Sequence, residues 1–75
     1  MARTFSDLVK DYENDPTQWE VIRSETVPST TRRNRGGTSI QELLRHRASG
    51  EEMVRHTLVK PSGDILDRHF RRTWK

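Results

Sequence analysis

The chain has no cysteine, which removes disulfides and thiolate zinc ligands from the devices that hold small domains together. That lack suits a reducing compartment, and suits equally a domain that must survive transit between cells. Apolar side chains are scarce, at 29% against 33% charged, a balance on the disordered side of globular composition. They are nonetheless grouped and periodic, so we expect a folded domain with one open loop. No apolar run approaches the roughly 20 residues of a membrane span, and no apolar segment follows the N-terminus as in a signal peptide. No membrane partner is expected, and the expected location is the cytoplasm, either the cell's own or that of a target cell.

Seventy-five residues leave room for one small domain with a thin core. Its candidates are Phe5, Leu8, Val9, Tyr12, Trp19, Val21, Ile22, Ile40, Leu43, Leu44, Met53, Val54, Leu58, Val59, Ile65, Leu66, Phe70 and Trp74. Charge is divided along the chain. Residues 1–30 carry three basic and six acidic side chains, and residues 31–75 carry eleven basic and five acidic. A basic C-terminal part with a pI near 10.0 points to a polyanionic partner, with nucleic acid first among them. The plainer reading is a solubilising surface charge.

In chain order, Phe5, Leu8, Val9 and Tyr12 follow the i, i+3, i+4, i+7 spacing of an amphipathic helix over residues 4–14. Thr4 and Asp7 form a capping-box pair, and Asn14-Asp15-Pro16 ends the helix because a residue before proline is pushed from the α region. Residues 18–27, QWEVIRSETV, alternate and are rich in β-branched and aromatic side chains, which predicts a strand. It would place Trp19, Val21, Arg23, Glu25 and Val27 on one side. Residues 28–38, PSTTRRNRGGT, form the only loop of any length. Arg32, Arg33 and Arg35 beside Gly36-Gly37 suit phosphate oxygens, although the segment lacks the spacing and the lysine of a P-loop. A mobile, solvated linker is the other reading.

Residues 39–48, SIQELLRHRA, read two ways. Ser39 and Glu42 form a capping pair, with Ile40, Leu43 and Leu44 at helical spacing. Against this, Ser49-Gly50-Glu51 echoes Ser62-Gly63-Asp64, and repeated turn signals suit a meander of strands. We take the strand. The expected fold is therefore α+β, an N-terminal helix packed on a four-stranded antiparallel sheet whose last three strands form a meander.

The Pro61-Ser62-Gly63-Asp64 turn has proline to pre-set φ and glycine for positive φ. Centred on Ser62-Gly63, it places His56 opposite His69 and Leu58 opposite Asp67, with facing side chains about 5 Å apart. Centring the preceding turn on Ser49-Gly50 places Leu43 opposite His56. One face then gathers Ile40, Leu44, Met53, Val59, Leu66, Phe70 and Trp74 beneath the helix, with Arg55 and Arg68 at its margins. The other gathers Gln41, Leu43, Arg45, His56, Leu58, Lys60, Asp67, His69 and Arg71 as a polar working surface.

Two facing imidazoles beside Asp67 and Arg71 suit metal-free RNA cleavage. One histidine takes the 2′-hydroxyl proton, another group protonates the leaving oxygen, and Arg71 stabilises charge on phosphorus. Arg32, Arg33, Arg35, Arg45 and Lys60 would guide the phosphate backbone. Metal binding by His56, His69 and Asp67 is disfavoured by the surrounding arginines and the lack of a tight ligand motif, so no cofactor is expected. A histidine and arginine surface that only holds phosphates is the non-catalytic alternative, and a protein-interaction domain with an acidic partner is a third.

The run from RRNRGGTSIQE through SGEEMVRHTLV and PSGDILDRHFR to Trp74-Lys75 resembles the C-terminal toxin domains of bacterial polymorphic toxins. The resemblance covers roughly residues 19–75. It implies a small ribonuclease-like fold, with RNA favoured over DNA as the nucleic acid bound, and a cognate acidic immunity or antitoxin protein as partner. It carries over no catalytic set of its own. Beginning at Met1 with no long carrier region, the chain is expected to be an excised domain or a stand-alone relative.

Overall fold

The computed structural model describes residues 3–74. Helix α1, Phe5–Asn14, starts at Thr4, whose Oγ1 accepts the Asp7 N–H at 3.1 Å. The Asp7 carboxylate accepts the Thr4 N–H in return, so two orphan donors of the first turn are satisfied. Asp15 ends the helix, and a short 3₁₀ turn, Pro16–Gln18, leads directly into the sheet. The strands are β1 Trp19–Pro28, β2 Thr38–His46, β3 Glu52–Val59 and β4 Ile65–Arg71. They pair antiparallel in the order β1-β2-β3-β4. The expected α+β architecture holds, with all four strands forming the meander.

The ambiguous segment after residue 38 is a strand because its helix signals are used across strands. Ser39 Oγ bonds to His56 on β3, and Glu42 accepts two hydrogen bonds from Arg55 on β3. Gly50, at φ +77°, serves the hairpin instead of ending a helix. That hairpin is wider than a turn on Ser49-Gly50: His46 N–H donates to Glu51 O at 2.7 Å, and Gly50 N–H to His46 O. The β2–β3 register is therefore displaced, with Gln41 rather than Leu43 opposite His56. The displacement is by two residues, so each side chain keeps its expected face.

The β3–β4 register is as predicted from Val54 opposite Arg71 to Leu58 opposite Asp67, including His56 opposite His69, while Val59 faces Ile65. The turn itself is one residue longer than a two-residue hairpin loop, closed by Lys60 N–H to Asp64 O at 2.7 Å. An irregularity at Leu58/Val59 absorbs the extra residue before the histidines are reached.

Cross-strand partners share a face, and one face lies under α1. Leu8, Trp19, Leu44 and Met53 are buried there, with Phe5, Val9, Tyr12 and Phe70 packed around them. Each fully buried apolar side chain of this kind contributes about 1.5–3 kcal/mol. Tyr12 meets Trp19 and Phe70 edge-on, at ring centroids of 6.3 and 5.6 Å, a geometry the ring quadrupoles favour.

The structure corrects several sequence expectations. A bulge at Ile22 reverses the alternation of β1, so Trp19 and Val21 share the helix side while Arg23, Glu25 and Val27 face the other. Val21 and Ile22, on edge strand β1 at its bulge, and Ile65, at the turn end of edge strand β4, are exposed rather than core. Arg55 does not sit at a margin: on a central strand it pairs with Glu42 and Tyr12. Trp74 lies on the face away from α1, its ring 4.1 Å from the Arg23 guanidinium.

The loop 28–38 is docked rather than a free linker. Asn34 is buried and donates from Nδ2 to Val59 O at 2.9 Å, while Gly37 N–H donates to Asn34 O. A side chain at Gly37 would collide with Val59 O and Asn34, so glycine permits the approach.

Candidate active site on the open sheet face

On the face away from α1 the registers of all strands combine into rows. Arg23, Leu43, Val54 and Arg71 form one, Glu25, Gln41, His56 and His69 the next, and Val27, Ser39, Leu58 and Asp67 the third. Successive rows are about 7 Å apart along the strands. The first row is closed, with Val54 fully buried and Trp74 stacked on Arg23. The other two carry the two histidines, Ser39 and Asp67.

Four side chains from these two rows join in one hydrogen-bonded chain. Ser39 Oγ lies 2.7 Å from His56 Nε2, His56 Nδ1 lies 3.2 Å from His69 Nε2, and His69 Nδ1 lies 3.3 Å from Asp67 Oδ2. The imidazole rings meet edge-on with centroids 4.8 Å apart. A carboxylate only accepts, so the Asp67 end takes its proton from His69 Nδ1. With His69 neutral, its Nε2 accepts from His56 Nδ1, and His56 Nε2 then accepts the Ser39 hydroxyl. In that arrangement both rings are Nδ1–H tautomers, with the basic nitrogen of the pair directed at a hydroxyl.

The Ser39 end opens onto a groove of about 440 Å³. Val27, Pro28 and Leu58 give it apolar walls, Ser29, Thr30 and Thr31 give it hydroxyls, and Ser39 and His56 lie within it. The Pro28–Thr31 side runs straight into Arg32 and Arg33. His69 and Asp67, at the other end of the chain, are exposed.

Arg71 lies in the neighbouring row, half-buried, with Nη2 donating to Gln41 Oε1. Its Nε is buried without a hydrogen-bond partner among the described residues. Arg32, Arg33, Arg35 and Lys60 are exposed, and no ion pair engages any of them among the described residues. The loop that carries the three arginines is pinned to the β3–β4 hairpin, which carries Lys60, through Asn34 and Val59 O. Arg45 is placed differently. It lies in the Glu20–Arg45–Glu52 row, beyond Val54, and is paired with Glu52 at 2.8 Å.

Sequence reading did not select Ser39, which served there only as a helix cap. Its place diagonal to His56 follows from the width of the β2–β3 hairpin. Asp67 was visible, as a residue one strand step from His69. His46 also went unselected. Its Nε2 lies 3.4 Å from the Asp11 carboxylate and its Nδ1 accepts the Ser49 N–H, so it ties α1 to the sheet away from the groove.

Among the described residues no three His, Asp or Glu side chains converge in a metal-binding arrangement, and no helix is long and apolar enough to cross a membrane. Comparison of the chain with protein-family models, with curated proteins and with solved structures finds no match.

Proposed function

We propose that this domain binds RNA and cleaves it without a metal ion, in the manner of a bacterial toxin-type endoribonuclease. The observation that carries the reading is the Asp67–His69–His56 chain, which ends on an imidazole nitrogen in a groove whose Pro28–Thr31 side leads along the chain into Arg32 and Arg33. A ribose 2′-hydroxyl seated in the groove takes the place of Ser39 Oγ–H and gives its proton to His56 Nε2. The oxygen attacks the adjacent phosphorus, the bond to the 5′ oxygen breaks, and the His56 imidazolium returns the proton to that oxygen. The products are a 2′,3′-cyclic phosphate and a 5′-hydroxyl. His69 and Asp67, although exposed, hold the ring in the accepting tautomer and stabilise its charged form. Arg71, one row away, lowers the cost of negative charge on phosphorus. Arg32, Arg33, Arg35 and Lys60 neutralise the backbone on either side. An acidic immunity or antitoxin protein would cover this cationic end.

The test is labelled tRNA incubated with the purified protein, with and without EDTA. Cleavage that survives EDTA and is lost in His56→Ala is expected. Intact RNA bound in a salt-sensitive manner would replace the reading with a non-catalytic nucleic-acid-binding module, which the unpaired arginines also favour. No binding at all would leave a protein-interaction domain.

A further inference from the structure

The proton path described above ends on a residue of the protein itself. Ser39 Oγ is 2.7 Å from His56 Nε2, a separation at which an imidazole can take a hydroxyl proton as a bond to the oxygen forms. The serine is thus followed by a base, and the base by a partner that orients it, which is the arrangement of an activated nucleophile. Here the orienting group is a second histidine backed by a carboxylate. Ser39 also faces the groove walled by Val27, Pro28 and Leu58, a lining suited to an apolar acyl group.

We propose that Ser39 is a nucleophile that forms a covalent acyl intermediate with small apolar esters. This activity is separate from the RNA reading and stands or falls independently of it. Ser39 Oγ bonds to the ester carbonyl carbon while its proton passes to His56 Nε2. The carbon–oxygen bond to the alcohol breaks, and the imidazolium gives its proton to the departing alkoxide. Water then attacks acyl-Ser39 and loses a proton to His56. The serine oxygen leaves with that proton, releasing the carboxylic acid and restoring the starting state. His69 and Asp67 act as positioning residues, keeping Nδ1 of His56 protonated and Nε2 available.

The probes are p-nitrophenyl butyrate and an alkyl fluorophosphonate, whose phosphorus forms a stable bond to an activated serine with loss of fluoride. After treatment, peptide mass mapping is expected to show the adduct on Ser39, formed at least about 100-fold faster than on Ser62, in keeping with the usual contribution of a general base. Ser62 is the internal control because it is exposed and bonded only to Asp64. Labelling is expected to vanish in Ser39→Ala and to fall by a similar factor in His56→Ala, with circular dichroism unchanged. In Asp67→Asn it should slow, and its pH profile should move, a change that lost packing alone would not produce. An adduct distributed among exposed serines at equal rates would overturn the proposal, as would an unmodified Ser39 in a folded sample. Cleavage of tRNA with Ser39 unlabelled would sink this inference and leave the ribonuclease reading intact, and the converse result would do the opposite.

Discussion

Gln41 lies directly opposite His56 and accepts a hydrogen bond from Arg71, so the arginine is bonded to the residue that faces the histidine. Gln41 is buried, and its oxygen has a charged donor. Gln41→Ala would leave the half-buried guanidinium with one fewer acceptor. A stability loss of about 1–3 kcal/mol is expected in urea melts, together with weaker RNA cleavage if Arg71 is thereby released from its row.

The direction of the relay is open to direct observation. Long-range proton–nitrogen spectra should show His69 protonated at Nδ1, since Asp67 can only accept, and His56 protonated at Nδ1 where it donates to His69 Nε2. Asp67→Asn removes the anion that sets this choice. A spectrum of Nε2–H tautomers in the unaltered protein would contradict the geometry.

Salt dependence distinguishes the loop arginines from Arg45. Arg32→Ala, Arg33→Ala and Arg35→Ala should each reduce the slope of log affinity against log salt by about 0.7 for single-stranded RNA, the value for one phosphate contact. Arg45→Ala should leave the slope unchanged, because Glu52 already neutralises that side chain.

Stability should follow the asymmetry of the core. Met53 is fully buried under α1, whereas Ile65 is 53% exposed. Met53→Ala is expected to cost about 2–5 kcal/mol, and Ile65→Ala to stay within about 0.5 kcal/mol. Chemical denaturation of the two variants checks the contrast.

Acid should loosen the N-terminal helix. Hydrogen bonds from Arg3 and then Ser49 hold the Glu51 carboxyl below its ordinary value of 4.5, and bonds from Thr4 do the same for Asp7. A carboxyl whose folded value is depressed contributes stability that is present above its unfolded value and lost as pH falls through the folded one. Denaturation midpoints should therefore decline as pH drops below about 4.5. Arg3→Ala should flatten part of that decline.

Much of the site was readable because a hairpin converts sequence distance into contact. His56, His69 and Asp67 sit on strands joined by a short turn, and alternation placed them on one face despite an extra turn residue. Ser39 and Gln41 belong to a different strand. Their position against His56 depends on whether the β2–β3 loop closes at Ser49-Gly50 or wider, and Ser, Gly and Glu permit both. The reversal of β1 at Ile22 had no signal, since a bulge there breaks no propensity rule. Trp74 was assigned to the core as an aromatic residue, and its contact with Arg23 spans the whole sheet.

Local chemistry in the chain was enough to determine the capped helix, the strands, the pairing of the two site histidines, and a cationic C-terminal part. Each depends on neighbours a few residues apart, where periodicity and turn residues act. Tertiary structure alone decided which hydroxyl His56 meets, which arginines stay unpaired, and which face α1 covers. Those outcomes depend on loop closure and on competition between distant partners for the same hydrogen bonds, and neither is written in any single stretch of sequence.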